Sequence, residues 1–308
     1  MSRYSPLVSI GLPVYNGERF IGAALDSIGS QTFEDFELVI SDNASTDGTQ
    51  EICERYAGKD GRIRYLRNEI NIGAGNNFNR AYELSKGKHF KWMAHDDVLA
   101  PGFIRDCVSA LDEDDSAVLS HPGAEIIGED GEKQKDYNVS LKTDAVAAHK
   151  RFAELVLSRH NCYQIFGLIR SDALRQTRLI ANYTGSDRNL LAELSLMGRF
   201  IEVPGVLVYY RQHPGRSMSQ YPDRHERNAW FDPKLKGTVS FPAWRRGTEY
   251  FKSINRSSLS VRDRALCHMT LIRWFLSRSS EGPRNFKLLA QDLAWAVNRS
   301  MFRQKSVS

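Results

Sequence analysis

Cysteine is scarce: Cys53, Cys107, Cys162 and Cys267 are the only four, and no two lie close in sequence. With no CxxC and no Cys/His cluster, a zinc finger and a disulfide framework are both excluded, leaving reduced, packed thiols. Long hydrophobic runs are missing too. No uncharged apolar stretch reaches the roughly 20 residues that a membrane-spanning helix requires. Met1-Ser-Arg-Tyr-Ser-Pro6 leads into a strand-like run and not a signal-peptide core. The expected location is the cytoplasm, at most peripheral to the inner face of a membrane. Several signature loops are also absent: no GxxxxGK followed by Ser or Thr, no GxSxG and no HExxH, which removes P-loop, serine-hydrolase and zinc-protease readings. Gly73-Ala-Gly75 offers two glycines of a dinucleotide fingerprint, but Phe78 takes the third place, so NAD(P) binding fails.

What is present is ordinary globular composition, 308 residues with 41 % apolar and 26 % charged, enough for about two domains or one with an appendage. Charge is uneven. Residues 221–308 hold 17 Lys+Arg against 7 Asp+Glu, a net +10, while residues 1–220 carry −5, giving the chain's +5. Such a split predicts that the C-terminal part meets something anionic or presents a solvated basic face.

Strand-like runs at Leu7–Val14, Phe36–Ser41, Arg62–Leu66 and Phe90–Ala94 alternate with helical patterns at Glu18–Gln31, Thr49–Tyr56 and Asn76–Ser85. This α/β alternation predicts a Rossmann-like, largely parallel mixed sheet flanked by helices, with ligands at the carboxyl ends of the strands. Downstream, Ala117–Ser120 and Ala124–Ile127 bracket a hairpin-like stretch. Tyr163–Arg170 and Arg199–Tyr210 read as strands, and Ala145–Ser158 and Ser186–Met197 as helices. After Tyr221, two amphipathic helices are expected at 260–278 and 283–303.

The predicted strand ends carry Pro13 and Tyr15, then Asp42, then His95-Asp96-Asp97. Two adjacent carboxylates after an apolar strand make a spot that a hard divalent cation with diphosphate oxygens would neutralise; a helix cap beside a solvated acid is the plain alternative. The segments Pro13-Val-Tyr-Asn-Gly17, Ser41-Asp-Asn-Ala-Ser-Thr-Asp-Gly-Thr49, Asn71-Ile-Gly73 and His95-Asp-Asp97 come in order. Phe166-Gly-Leu-Ile-Arg170, Ser186-Asp-Arg-Asn189 and Tyr209-Tyr-Arg-Gln-His213 follow. This set, over residues 6–215, resembles the inverting glycosyltransferases of family 2 with the GT-A fold.

The resemblance implies a catalytic domain over residues 1–220, with a nucleotide-sugar half to about residue 100, an acceptor half beyond it, and a basic helical extension at 221–308. It implies a nucleotide sugar, commonly UDP-linked, bound through Pro13, Tyr15, Asp42, Asn71 and Asp96. Mg²⁺ or Mn²⁺ would be held by Asp96 and Asp97, with His213 ligating the metal or a phosphate. The family's first Asp of Asp-x-Asp falls on Ala94, so which of Asp96 and Asp97 takes the metal and which the ribose or phosphate stays open. Asp187 resembles the base that deprotonates the acceptor hydroxyl, the alternative being a helix cap shared with Ser186. The acceptor would be a glycan or lipid-linked glycan, in polysaccharide or cell-surface assembly.

A sugar-phosphate nucleotidyltransferase would need a glycine-rich basic loop where this chain has Pro13-Val-Tyr-Asn-Gly17. A nucleic-acid module built on the basic C-terminal part leaves the acidic motifs unexplained, so no nucleic acid partner is expected. The apolar residues Leu266, Met269, Ile272, Phe275 and Leu276 predict a stripe packed on the catalytic domain, on a second copy, or on a membrane surface.

Overall fold

The computed structural model describes residues 5–276 apart from 138, 224, 225, 237, 239 and 240, together with a few positions between 278 and 294. The chain opens with β1 (Val8–Val14), α1 (Ile21–Gly29), β2 (Phe36–Asp42), α2 (Thr49–Ala57), β3 (Ile63–Arg67), α3 (Ala74–Glu83) and β4 (His89–Trp92). There follow β5 (Val98–Leu99), α4 (Phe103–Glu113), β6 (Ala117–Ile127), β7 (Lys133–Tyr137), α5 (Ala148–Leu157), β8 (Leu168–Arg170) and α6 (Ser171–Arg175). The last elements are α7 (Ser186–Met197), β9 (Arg199–Arg211), α8 (Ser217–Gln220), α9 (Glu226–Phe231), α10 (Pro242–Arg256) and α11 (Val261–Leu276).

One nine-stranded sheet runs β3-β2-β1-β4-β8-β6-β9-β5, with β7 added along β6. β1 pairs in parallel with both β2 and β4, and β6 with β9, while β8, β5 and β7 run antiparallel to their neighbours. Val8, Ile10, Leu12 and Val14 of β1 are all buried, as expected of a parallel strand covered on both faces.

Four sequence expectations change. Residues 117–127 form a single strand where a hairpin was expected, because Pro122-Gly123 bends β6 opposite the Pro204-Gly205 bend of β9 without ending the ladder. A Cβ on Gly123 would stand 2.9 Å from the Gly205 carbonyl oxygen, so the two strands need the glycine there. Tyr163–Phe166 is a 3-10 turn, and only Leu168–Arg170 joins the sheet. The extension also contains α10, where the sequence showed only scattered Trp, Arg and Pro. Finally, α11 turns Cys267, Thr270, Leu271 and Trp274 inward and leaves Met269, Ile272 and Leu276 more than half exposed (56, 59 and 67 %). Of the three placements expected for the stripe, packing on the catalytic domain is ruled out for Met269, Ile272 and Leu276, and the 283–303 helix lies largely outside the described residues.

The extension packs on the catalytic part through one cluster: Tyr250, Ile254, Cys267, Leu271 and Trp274 against Phe152, Val156, Ala192 and Leu196 of α5 and α7. Its other contact explains Gly73-Ala-Gly75. Gly73 has φ +85°, and a Cβ there would lie 2.5 Å from the Phe231 carbonyl oxygen; one on Gly75 would lie 2.4 Å from Asn182 Oδ1. Those glycines give room to α9 and the 182 loop, not to a pyrophosphate.

Candidate active site

The loops after β1, β2 and β4 form one rim. β1 pairs with β4 only as far as Gly11 opposite Trp92, so the missing N–H of Pro13 falls where that ladder has already opened. Tyr15 follows, 45 % exposed, and Asn16 takes a left-handed φ of 52°. The Asn16 N–H donates to Ser45 Oγ (2.9 Å), its Oδ1 accepts from the Thr46 N–H (2.8 Å), and the Gly17 N–H donates to Thr49 Oγ1 (2.8 Å). The two loops are thus tied together, with Asp47 organising the turn by accepting from Thr49 and from the Glu18 N–H.

Asp42 ends β2 and is fully buried. Its Oδ1 accepts from the N–H and hydroxyl of Ser45 (2.9 and 2.5 Å), and its Oδ2 accepts from the Tyr65 hydroxyl (2.6 Å), with Arg67 Nε at 3.4 Å. Burial and then the Asp42 carboxylate raise the Tyr65 phenol well above its ordinary range, keeping it a donor. Beside it, Asn71 Oδ1 accepts from Asn43 Nδ2 and from the Gly73 N–H (both 2.9 Å). Asn71 thereby shapes the loop between β3 and α3.

Asp96 and Asp97 follow β4 and part company. Asp97 Oδ1 accepts from the Arg211 N–H (3.0 Å) at the end of β9; burial and then the neighbouring Asp96 push its carboxyl well above the usual carboxylate range. Asp96 Oδ2 meets His213 Nε2 at 2.9 Å. Burial alone would raise Asp96, but the His213 bond and the charges of His95 and Arg216 outweigh it and bring the carboxyl to about 2. The His213 ring leans on Phe20, centroids 4.5 Å apart. Behind the pair sits a residue that the sequence reading passed over, Lys91. It is fully buried, donates to the Trp92 carbonyl (2.9 Å) and lies 4.6 Å from the Phe103 ring centroid. Burial brings it down to about 7. Only its alternation inside an apolar strand hinted at it.

Asp187 stands in the first turn of α7. The N-cap position is Gly185 (φ +89°), which has no side chain to cap with. Asp187 Oδ1 accepts from the Arg188 N–H (2.9 Å), and burial and then the Asp187 charge hold the nearby Cys162 thiol well above its ordinary range. A chain of contacts links this corner to the acidic pair: Cys162 precedes Tyr163, whose ring stacks on Tyr210 at 3.9 Å, and Tyr210 precedes Arg211. Glu193, six residues further along α7, is buried and paired with Arg256 (2.8 Å).

A curled, largely parallel sheet with an acidic pair after its fourth strand is the architecture of GT-A glycosyltransferases. The fold superposes on Staphylococcus aureus TarS, residues 1–349 with UDP-GlcNAc, at TM-score 0.64 and 16 % identity, covering 95 % of this chain and 79 % of that one. It also superposes on the mannosyltransferase PcManGT from Pyrobaculum calidifontis, solved with GDP-Man and Mn²⁺, at TM-score 0.56 and 17 % identity, covering 99 % and 80 %. The Glycosyl transferase family 2 model matches residues 9–178, more than half of the sequence. The chain belongs to glycosyl transferase family 2 and is a glycosyltransferase. An uncharacterized glycosyltransferase of Haemophilus influenzae is 29 % identical over 228 residues, 72 % of this chain and 70 % of that protein. Another from Rickettsia prowazekii is 39 % identical over 125 residues, 40 % of this chain but only 38 % of its relative.

Proposed function

We propose that this protein transfers one sugar from a nucleotide-sugar donor, UDP-linked by preference, to an acceptor hydroxyl with inversion. The observation that carries this reading is Asp187, a partly buried carboxylate in the first turn of α7 whose Oδ1 accepts from the Arg188 N–H. Tyr15 offers an exposed ring for a base. Asp42, gripped by Ser45, Tyr65 and Arg67, acts by holding that wall in place; Arg67 braces it further by donating to the Ser45 carbonyl (2.7 Å). Pro13 and Asn71 fix the two loops.

The residues present fit a divalent ion, Mg²⁺ or Mn²⁺. Asp96 Oδ2 and His213 Nε2 lie side by side, 2.9 Å apart, a carboxylate oxygen and an imidazole nitrogen that would hold such an ion together. Asp97, tied to backbone, supports the turn. Among the described residues no cluster of three or more His, Cys, Asp or Glu side chains forms, so diphosphate oxygens and water would complete the sphere. Held by these residues, such an ion would supply positive charge against a departing diphosphate. Asp187 takes the acceptor's proton as the oxygen attacks the anomeric carbon, a contribution of about 10²–10⁴-fold.

The acceptor in this reading is a glycan or lipid-linked glycan, reached from the cytoplasmic side. No helix among the described residues is long and apolar enough to cross a membrane. The exposed Met269, Ile272 and Leu276, with Arg262 and Arg273 on the same helix, supply a surface for peripheral contact with anionic lipid or for a second copy. The deciding experiment is Asp187→Asn. Transfer from a UDP-sugar should fall at least about 10²-fold while UDP binding by calorimetry stays within twofold; near wild-type turnover refutes Asp187 as the base.

A further inference from the structure

The basic extension meets the loop and first turn that carry Asp187 through Asn228, Arg245 and Arg246. Arg246 of α10 lies beside the start of α7, its Nη1 3.7 Å from where a Cβ on Gly185 would stand. Its carbonyl accepts from Asn189 Nδ2 (3.0 Å), and its guanidinium lies 5.4 Å from the Trp274 ring centroid, so backbone and side chain are both held. Yet among the described residues the guanidinium has no hydrogen bond and no ion pair, and its Nε is sealed from solvent without an acceptor. Next to Gly185, Ser186 is 1 % exposed, and its hydroxyl is likewise buried without a partner. The nearby arginines are already engaged: Arg188 with His160, and Arg227 with the carbonyls of Tyr221 and Pro222.

Buried donors left without acceptors cost free energy unless a ligand supplies them. A guanidinium in a fixed fork suits the paired oxygens of a phosphate or carboxylate, and the buried Ser186 hydroxyl beside it is a second donor without an acceptor. We infer that Arg246 and Ser186 bind an anionic substituent of the acceptor, a phosphate ester or a carboxylate, so that a hydroxyl near that group faces Asp187. This rests on the reading of Asp187 as the base. Arg188, next to Asp187 in the first turn, and Arg246, beside Gly185, supply positive charge that offsets the repulsion the carboxylate would exert on the anion.

The test titrates glucose 1-phosphate, glucuronate and glucose into the full chain by calorimetry, with UDP titrated separately. The two anionic sugars should bind at least tenfold more tightly than glucose, and the tighter of them identifies the group as phosphate or carboxylate. Arg246→Gln should weaken that binding about tenfold or more and Arg246→Lys less, with Ser186→Ala intermediate and UDP affinity unchanged. Equal binding of all three sugars, or anion binding untouched by Arg246→Gln when UDP binding shows the variant folded, overturns the inference. Loss of UDP binding in the wild type strikes the donor reading instead and leaves the anion result to stand on its own.

Discussion

Replacing Arg256 by Met should destabilise the protein through Glu193. The Glu193 side chain is 5 % exposed, and its Oε1 accepts from Arg256 Nη2 and Nε at 2.8 and 3.2 Å. Around it, Ala192 and Leu196 of α7 face Ile254 of α10. Breaking a buried pair by removing one partner typically costs about 3–5 kcal/mol, because an uncompensated charge is left behind. Arg256 is one-third exposed (33 %), so water admitted on its side lowers the expected cost to about 2–3 kcal/mol. Against a urea slope of roughly 3 kcal/mol/M for a protein of this size, the midpoint should fall by somewhat under 1 M. Tryptophan fluorescence and far-UV circular dichroism should both follow this shift. Adding Glu193→Gln to the variant removes the stranded charge and should recover at least half the loss. Glu193→Gln alone should keep near wild-type turnover, since the residue ties α7 to the extension and does not face the acceptor. A midpoint for the Arg256 variant within 0.2 M of wild type, or no recovery in the double variant, refutes this account.

Three further outcomes follow from the same geometry. Chelation by EDTA should abolish transfer, and Asp96→Asn should lose most of the Mn²⁺-dependent gain in UDP affinity; full activity in EDTA rules out a metal at Asp96 and His213. Gly73→Ala should cost about 2 kcal/mol or more, because φ +85° with ψ 157° is essentially glycine-only and the new Cβ meets the Phe231 carbonyl; an unchanged melting temperature contradicts that contact. His89, buried with neither ring nitrogen bonded, is lowered from 6.5 to about 4 by burial and then by the charges of Lys88 and Arg170, which Asp112 only partly offsets. It stays neutral in the fold while the unfolded chain binds a proton below pH 6.5, so stability should fall by about 3 kcal/mol as pH drops from 6.5 to 4. His89→Leu should remove that part of the slope; parallel pH curves for variant and wild type would refute it.

The nucleotide-binding half was legible because its signals are local. An apolar run followed by a turn and an amphipathic stretch names a βα unit, and Asp42, Asp96 and Asp97 are visible as the polar residues that end or follow such runs. The role of each carboxylate was not legible, since it depends on partners far away in sequence. Asp97 is taken by the Arg211 N–H, 114 residues on, and Asp42 is gripped by Tyr65 and Arg67 from another strand. Nothing in the local pattern distinguishes such a held carboxylate from one that faces a ligand.

The extension resisted reading for a different reason. Its helices are amphipathic in the ordinary sense, and the eye assigns the apolar stripe to the interior. In α11 the inward face is instead Cys267, Thr270, Leu271 and Trp274, selected by what α5, α7 and α10 present to it. Tyr250 and Trp274 meet edge to face at 5.8 Å, and a Cβ on Gly247 would come within 3.1 Å of Trp274. That glycine brings the two helices together closely enough for Trp274 to stay inside. The same packing sets Arg246 beside Gly185 at the start of α7. The basic excess of the C-terminal part therefore acts in two ways: arginines spread over its surface, and one arginine delivered to the corner where Asp187 stands. Substituting Gly247 by Val should separate these effects. Pushing α11 off α10 would move Arg246 as well, so anionic-sugar binding should fall together with stability, while the donor rim, built from β1, β2 and β4, keeps its affinity for UDP.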